Sequence, residues 1–564
     1  MLAALLMSLT RSAWGSELGS SSIKDVSPLV HGLIPLPVAV WPLPGDFSLG
    51  NAMDYVDFHL LIKKPLKLSA KGSYFEGSLT AQDTFDLKSL GLHASWQWKE
   101  AYVLEMDQRG IRIRSGGRAG HFYASRTLLQ ILDADSLGLA KGRWPARRIF
   151  DFPNMAWRGM HLDVVRHFWG PAQVRTYLQW MARYKFNVLH WHLTDDQGWR
   201  LEVPGLPRLT EVAAWRSATL QGRPDAVEDS SRYRKEIHGG YYRSEEIQAL
   251  IRYADSLNIR IVPEIEMPGH ARAALAAYPA LSCRGDSLAV PGHWGVFEDV
   301  FCAGKESTFE FLTQVLDHVC TLFTDSVIHL GGDECPKTRW ENCTLCRERM
   351  ASLHTQDPHV LQSWFMSRMI GYLGSKGKSV IGWDEIMEGG LPEGAAVMSW
   401  RGTEGGKAAS RAGHPVVMSP GKPCYFDHYQ HDAQDEPLAI GGMNRLEDVF
   451  GYHPVPDDLE PEAARWIMGA QGNVWSEYLY SWDNVEYMVL PRMTALSEVL
   501  WSPRKPSVGV DSREAQELKQ LAFTDFQKRL RPHSRWMHRD ALHFAPHGWQ
   551  PLVPPTPPKV YHKP

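Results

Sequence analysis

Two adjacent carboxylates, Asp333 and Glu334, close the stretch Val327-Ile-His-Leu-Gly-Gly-Asp-Glu334. The stretch begins as an apolar, β-branched strand and loosens at Gly331 and Gly332, where glycine allows unusual dihedrals and close backbone approach. Neighbouring side chains on extended backbone point to opposite sides, so the two acids are unlike in role: one suits proton transfer, the other suits holding a ligand group. Taken alone, such a pair reads as well as a polar strand end in solvent. What changes its weight is that seven other short apolar runs end in the same kind of residue. The first gives Asp163 and Arg166, with Arg158 entering it, and the second gives Thr194-Asp-Asp-Gln-Gly-Trp-Arg200. The third gives Glu266-Met-Pro-Gly-His270, the fifth Trp383-Asp-Glu385, the sixth Trp400-Arg-Gly402, the seventh Tyr425-Phe-Asp427 and the eighth Trp475-Ser-Glu477.

The elements that must position these residues alternate. Apolar runs at 159–164, 186–193, 260–265, 327–331, 379–383, 396–400, 415–419 and 467–472 are separated by amphipathic stretches such as Pro171 to Tyr184, Ser244 to Leu257, Ser307 to Phe323 and Val360 to Leu373. Eight strands with alternating helices predict an α/β fold, a (β/α)8 TIM barrel. A doubly wound sheet shares the alternation but needs a Gly-rich phosphate loop, which is absent. Barrels gather their active sites at the C-terminal strand ends. A face lined by carboxylates, Trp, Tyr, His and Arg there is suited to a sugar. Hydrolysis of a glycosidic bond needs a protonated acid on one side and a carboxylate opposite. Glu334 is the natural acid, and Asp195, Asp384 and Glu266 remain alternatives for the opposite face.

Ahead of the barrel, residues 32–150 read as a smaller α+β domain, with strands at Val38 to Trp41 and Asp54 to Ile62, an alternating pair at 102–107 and 110–115, and a helix from Tyr123 to Leu132. Pro145 to Asn154 reads as a turn-rich boundary, the barrel is expected over 154–540, and 541–564, with its Pro run, as a solvated tail. The formal net charge of −4 leaves no basic field for nucleic acid or an anionic membrane. Met1 to Ser16 resembles a short secretory leader without its charged start, which favours a periplasmic or secreted protein; the run is too short to span a bilayer. Seven cysteines are few for 564 residues. Cys283 and Cys302 flank a Gly/Pro-rich loop suited to a disulfide, and Cys343 and Cys346 form one CxxC, expected as a loop staple. Structural zinc usually takes four ligands, and no second CxxC or close His pair accompanies this one, so no metal is expected. Cys320 is a candidate for the unpaired thiol.

The motifs closely resemble glycoside hydrolase family 20, the β-N-acetylhexosaminidases: Arg158-Gly-Met-His-Leu-Asp163, His190-Trp-His-Leu-Thr-Asp-Asp-Gln-Gly-Trp-Arg200, Pro263-Glu-Ile-Glu-Met-Pro-Gly-His270, His329-Leu-Gly-Gly-Asp-Glu334, Gly382-Trp-Asp-Glu385, Tyr425-Phe-Asp427 and Gln471-Gly-Asn-Val-Trp-Ser-Glu477. The likeness spans about residues 32 to 540 and includes the small leading domain. It implies an exo-acting, retaining, substrate-assisted hydrolase, in which the substrate's acetamido oxygen attacks the anomeric carbon and forms an oxazolinium, an exception to the two-carboxylate scheme. By that resemblance Glu334 is the acid, Asp333 accepts from the acetamido N–H and Tyr425 donates to the acetamido oxygen. Trp383, Trp400 and Trp475 wall the pocket, and Arg158, Asp427 and Glu477 bind hydroxyls of the terminal sugar. Asp195 and His270 stand behind Glu334 and tune it towards a raised pKa. His161, His190, His192, His329, Glu266 and Asp384 are expected as interior layers or supports. The implied partners are glycans ending in β-linked N-acetylhexosamine, with no cofactor and no metal. Cys335 stands where an aliphatic residue is common, a small apolar replacement. Two other classes stay open: a non-catalytic glycan-binding protein on the same fold, and a redox or zinc protein built on the CxxC.

Overall fold

The structure, a computed structural model, describes residues 27–48, 74–135, 143–223, 225, 227–503 and 513–556. The leader-like run and the strand expected at Asp54 to Ile62 lie outside the described residues. Contacts divide the chain into two compact units. The first comprises Met1–Ala156, Arg183–Lys185 and Met493–Thr556, and the second holds Trp157–Ala182, Phe186–Arg492 and Pro557–Pro564. The expected barrel range therefore includes C-terminal helices that group with the first unit.

The first unit is a five-stranded sheet in the order β1 (Ala39–Ser48), β5 (Arg143–Asp151), β3 (Tyr102–Asp107), β4 (Gly110–Ser115), β2 (Tyr74–Ser78). Only β2 and β4 run parallel. The segment expected as a boundary turn is thus an inner strand. Its Pro145 lies beyond the register break with β1, where its missing N–H does least harm to the ladder. Alternation along β3 splits the core. Tyr102, Leu104 and Met106 pack with Tyr123, Leu128 and Ile131 of the helix Arg118–Asp135, while Val103 joins Leu87, Leu92 and Phe150 on the other face. The 541–556 segment is packed as well: Leu542, Phe544 and Trp549 are buried, and the Leu552 N–H donates to Ser534 Oγ at 2.9 Å. Its prolines suggested a solvated tail, but its apolar side chains decide the outcome.

One polar knot crosses this core. Lys185 Nζ donates to Asp151 Oδ2 at 2.8 Å and to the Tyr102 hydroxyl at 3.0 Å, and Trp501 Nε1 donates to Asp151 Oδ1 at 2.9 Å. All four side chains are buried. Removing one partner of such a pair strands the other charge.

The second unit is a closed barrel of eight parallel strands in sequential order: Trp157–Asp163, Val188–His192, Arg260–Glu264, Val327–His329, Ser379–Trp383, Ala395–Ser399, Val416–Met418 and Ile467–Gly472. The last pairs with the first to close it. Helices Pro171–Arg183, Ser244–Ser256, Glu306–Leu322 and Pro358–Ser375 fall where the apolar periodicity predicts. The interior is layered, as barrel interiors are. An apolar layer of Trp157, Val188, Val262, Ile381, Met398 and Val417 packs with Trp383, and a polar layer of His161, His190, His192, Glu264 and His329 is also fully buried. Among the described residues no helix is long and apolar enough to cross a membrane.

Lys185→Met is expected to cost about 3–5 kcal/mol by removing the cation that faces the Asp151 carboxylate in the core, and adding Asp151→Asn should recover part of that. Urea unfolding followed by Trp fluorescence measures both. Equal losses in the single and double variants would mean that the stranded charge is not what destabilises.

Candidate active site

The barrel's strand ends converge on Asp333 and Glu334, and register explains how. Glu264, last in strand three, pairs with His192 of strand two on one side and His329 of strand four on the other. Its carboxylate meets His190 Nε2 at 3.1 Å, His329 Nδ1 at 2.9 Å and Trp383 Nε1 at 2.8 Å, and it also bonds to His192 Nδ1. His192 Nε2 then reaches Asp195 Oδ2 at 2.9 Å. Asp195 accepts from Arg166 at 2.6 Å and meets His270 Nδ1 at 3.2 Å, while Asp196 meets the same nitrogen at 3.0 Å. The far nitrogen of His270 lies 3.5 Å from both Asp333 Oδ2 and Glu334 Oε2. A column of groups, buried from Glu264 through His192 and Asp195 to His270, therefore runs from the barrel interior to the acid pair and ends on the more exposed Glu334.

Charge alternates along that column. Burial alone would drive His192 neutral, but Glu264 and Asp195 reverse this and hold it up at about 10. His270 likewise is pushed well above its ordinary value by Asp195 and Asp333, against burial. Burial would raise Asp195, yet Arg166 and His270 hold it well below the usual carboxylate range. At the end of the column the two neighbours diverge. Burial raises Asp333 to about 7, whereas the approach of His270 at 3.5 Å outweighs burial at Glu334 and lowers it. The raised pKa expected of Glu334 is not found in the free site, because the imidazolium beside it favours its charged form.

Local backbone separates the two acids further. After the three-residue strand four, Gly331 and Gly332 adopt φ of 63° and 98° and Glu334 itself adopts 43°. A Cβ on Gly331 would stand 1.7 Å from Glu266 Oε2, so a larger residue would have to displace the Glu266 carboxylate as well as bear the left-handed backbone. A left-handed glutamate is a sparsely populated state that clusters at functional sites. The turn buries Asp333 while leaving the Glu334 side chain 41% exposed.

Around the pair stand most of the expected residues. Trp383 and Trp475 rings lie 5.8 Å apart, Trp475 is 6.3 Å from Tyr425, and Trp400 stacks on Tyr425 at 6.2 Å. Burial lifts the Tyr425 hydroxyl well above its ordinary value, so it remains a donor. Trp400 Nε1 donates to Glu385 at 2.9 Å, and Asp384 is occupied by Arg401 at 2.6 Å. Asp427 and Glu477 are drawn together, each raised chiefly by burial, and Arg166 approaches Glu477 at 3.8 Å. Oδ1 of Asp333 and Oδ1 of Asp427 are buried and without a hydrogen-bond partner among the described residues. Such acceptors are open to a donor from water or from a ligand.

Arg158 is not brought here. It sits second in strand one, five residues before Asp163 and thus about 16 Å along the strand, where its backbone bonds Asn187 at the entry of strand two. Arg166 takes the place instead, joined to Asp163, Asp195 and Glu477 and lying 5.1 Å over the Trp475 ring. Sequence reasoning also passed over Glu264, although a carboxylate inside Ile-Val-Pro-Glu-Ile is an acid in an apolar strand and needs buried partners. The disulfide expected between Cys283 and Cys302 is not formed; all seven cysteines are unbonded.

The family pattern described as glycosyl hydrolase family 20, catalytic domain, matches residues 155–504, and that described as domain 2 of the same family matches 30–152. The β-hexosaminidase of Porphyromonas gingivalis is 43% identical over 437 residues, 77% of this chain and 53% of that protein. That of Vibrio furnissii is 35% identical over 70% of this chain and 64% of its own length. The chain thus spans less than two thirds of both relatives. Among solved structures, a family 20 exo-β-N-acetylglucosaminidase of Vibrio harveyi in complex with N-acetylglucosamine superposes with a TM-score of 0.72 at 26% identity, over 94% of this chain and 80% of that one. An eight-stranded barrel with this acid pair, matched by the family's pattern over its whole catalytic domain, places the chain in glycosyl hydrolase family 20.

Two expectations follow. Arg166→Lys, which loses the fork-shaped donor, should raise KM more than about tenfold, while Arg158→Lys should leave KM within about twofold; steady-state kinetics on an aryl glycoside decides, and the reverse ranking returns the role to Arg158. Asp333 has a folded-state pKa raised from 3.8 to about 7, so it favours the fold fully below about pH 4 and loses that contribution as pH rises through 7. Asp333→Asn should therefore melt higher than the parent at about pH 8, with little difference at about pH 4. Equal melting shifts at both pH values would show that Asp333 carries no such strain.

Proposed function

We propose that the chain is an exo-acting, retaining β-N-acetylhexosaminidase that removes terminal GlcNAc or GalNAc by substrate-assisted catalysis. The observation that carries this reading is the divergence of two sequence neighbours: Asp333 is buried with Oδ1 unpartnered, and Glu334 is turned outwards on a left-handed backbone. Two acids serving as nucleophile and proton donor would need to flank a sugar from opposite sides. Adjacent acids on one strand end suit a division of labour in which the nucleophile comes from the substrate.

In that scheme the acetamido group enters the aromatic enclosure of Trp383, Trp400 and Trp475. Asp333 Oδ1 accepts its N–H, and the Tyr425 hydroxyl donates to its carbonyl oxygen. This holds the oxygen for attack on the anomeric carbon and stabilises the charge of the oxazolinium as it forms. Arg166, Asp427 and Glu477 supply a fork of donors and two acceptors for the hydroxyls of the terminal sugar. Glu334 delivers a proton to the departing oxygen. Its exposed carboxyl is ready to be covered by the sugar, and losing water there raises its pKa towards that of a working acid. Water then opens the oxazolinium with Glu334 as base, and configuration is retained. The periplasmic or secreted location we assign rests on Met1 to Ser16 alone.

An aryl β-N-acetylglucosaminide should be cleaved at least about 10³ times faster than the matching glucoside, which has no acetamido nucleophile. Similar rates on both would sink substrate assistance. Glu334→Gln should lose about 10²–10⁴ in kcat on substrates with poor leaving groups and much less on activated aryl glycosides. Asp333→Asn should damage all substrates by about 10²–10³.

A further inference from the structure

Four cysteines far apart in sequence meet away from the acid pair. Cys283 and Cys302 bound the loop after barrel strand three, and Cys343 and Cys346 open the helix Thr344–Ser352 in the loop after strand four. One sulfur from each lies within 4.8 Å of all the others. The separations are 3.8 Å for Cys283 to Cys346, 3.9 Å for Cys302 to Cys343 and 3.5 Å for Cys302 to Cys346. A disulfide requires about 2.05 Å. Four sulfurs arranged at about 2.3 Å around one zinc stand about 3.8 Å from each other along the edges of the tetrahedron. The observed spacings belong to the second arrangement.

The surroundings suit thiolates. Cys343 caps the helix and Cys346 lies in its first turn, where free N–H groups and the helix dipole favour negative sulfur. A Cβ on Gly304 would stand 2.3 Å from the Leu345 carbonyl carbon, so glycine is what lets the two loops close on each other. The cage is also held from outside: Lys305 Nζ donates to the carbonyls of Ala280 and Ser282, Trp340 Nε1 to that of Phe301, and the Cys302 N–H to that of Leu281. The CxxC gains from the tertiary fold the two further ligands it lacks locally.

We propose that Cys283, Cys302, Cys343 and Cys346 bind one zinc ion as a closed tetrathiolate. Binding exchanges four S–H protons for four Zn–S bonds, with no redox change: one Zn²⁺ and four thiols give a dianionic complex and four protons. All four positions are protein ligands, so the site is structural. It clasps the loop that follows His270 to the loop that follows Glu334, and so fixes the two segments whose residues meet at 3.5 Å.

The test uses the full chain, purified without a metal-binding tag. Elemental mass spectrometry should find about one zinc per chain, released in step with four thiols as a mercurial is added. Alkylation of the denatured protein without reductant should then label all seven cysteines. Cys346→Ser should lower zinc more than about tenfold, while Cys320→Ser should leave it unchanged. Should Cys346→Ser prove insoluble, cobalt exchange into the parent replaces it, with the ligand-field and sulfur charge-transfer bands of a tetrahedral tetrathiolate expected. Two disulfides among these four cysteines, iron in place of zinc, or seven free thiols with no bound metal would each overturn the proposal.

Discussion

His270 holds its two nitrogens between carboxylates, Asp195 and Asp196 on one and Asp333 and Glu334 on the other. No arrangement of four acids this close is tolerable without a cation among them. The imidazolium is that cation, and burial decides how strongly each acid responds to it. It stands 3.5 Å from both acids; burial outweighs it at Asp333, while at the more exposed Glu334 it prevails, so their pKa values move apart. The charge that both acids face is supplied from the loop after strand three, through a residue whose own backbone is left-handed at φ 47°.

Behind His270 the barrel interior carries the same logic downwards. Glu264 is a fully buried carboxylate matched by three histidines on the two neighbouring strands, at levels fixed by register, and by a tryptophan N–H from strand five. Shifting any of these strands by one residue would face its histidine outwards and leave Glu264 uncompensated. The polar layer thus ties the strand alignment to the orientation of Asp195. It also explains why a barrel enzyme would fill its interior with groups that are costly to bury: the charge pattern reaches the site intact only through a dry, close-packed column.

Much of this was legible in sequence because it is local. Each barrel strand is a short apolar run with its chemistry just beyond, so Glu334 stands out by position, and Asp333, Tyr425 and the three tryptophans take their expected roles from the resemblance of their motifs to the family. The failures share a cause, which is that they depend on what a residue meets across the fold. Arg158 and Arg166 are both arginines beside strand one, and only the three-dimensional path tells which one reaches Glu477. The strand at Arg143–Asp151 was hidden by Pro145, and its place inside the sheet is set by partners more than 35 residues away. The lowered pKa of Glu334 follows from a histidine 3.5 Å off and far away in sequence. The convergence of four cysteines from two loops is of the same kind.

The discontinuity of the first unit has a consequence for biosynthesis. Its core closes on Asp151 only when Lys185, three residues short of the second barrel strand, and Trp501, near the chain's end, have both arrived. Until the ribosome has made nearly the whole polypeptide, the Asp151 carboxylate has the Val38 N–H and the Tyr102 hydroxyl of its own segment but not its full set of donors. The small domain that comes first off the ribosome is thus among the last to be completed, and a gene cut at the apparent domain boundary would yield a fragment lacking its own keystone.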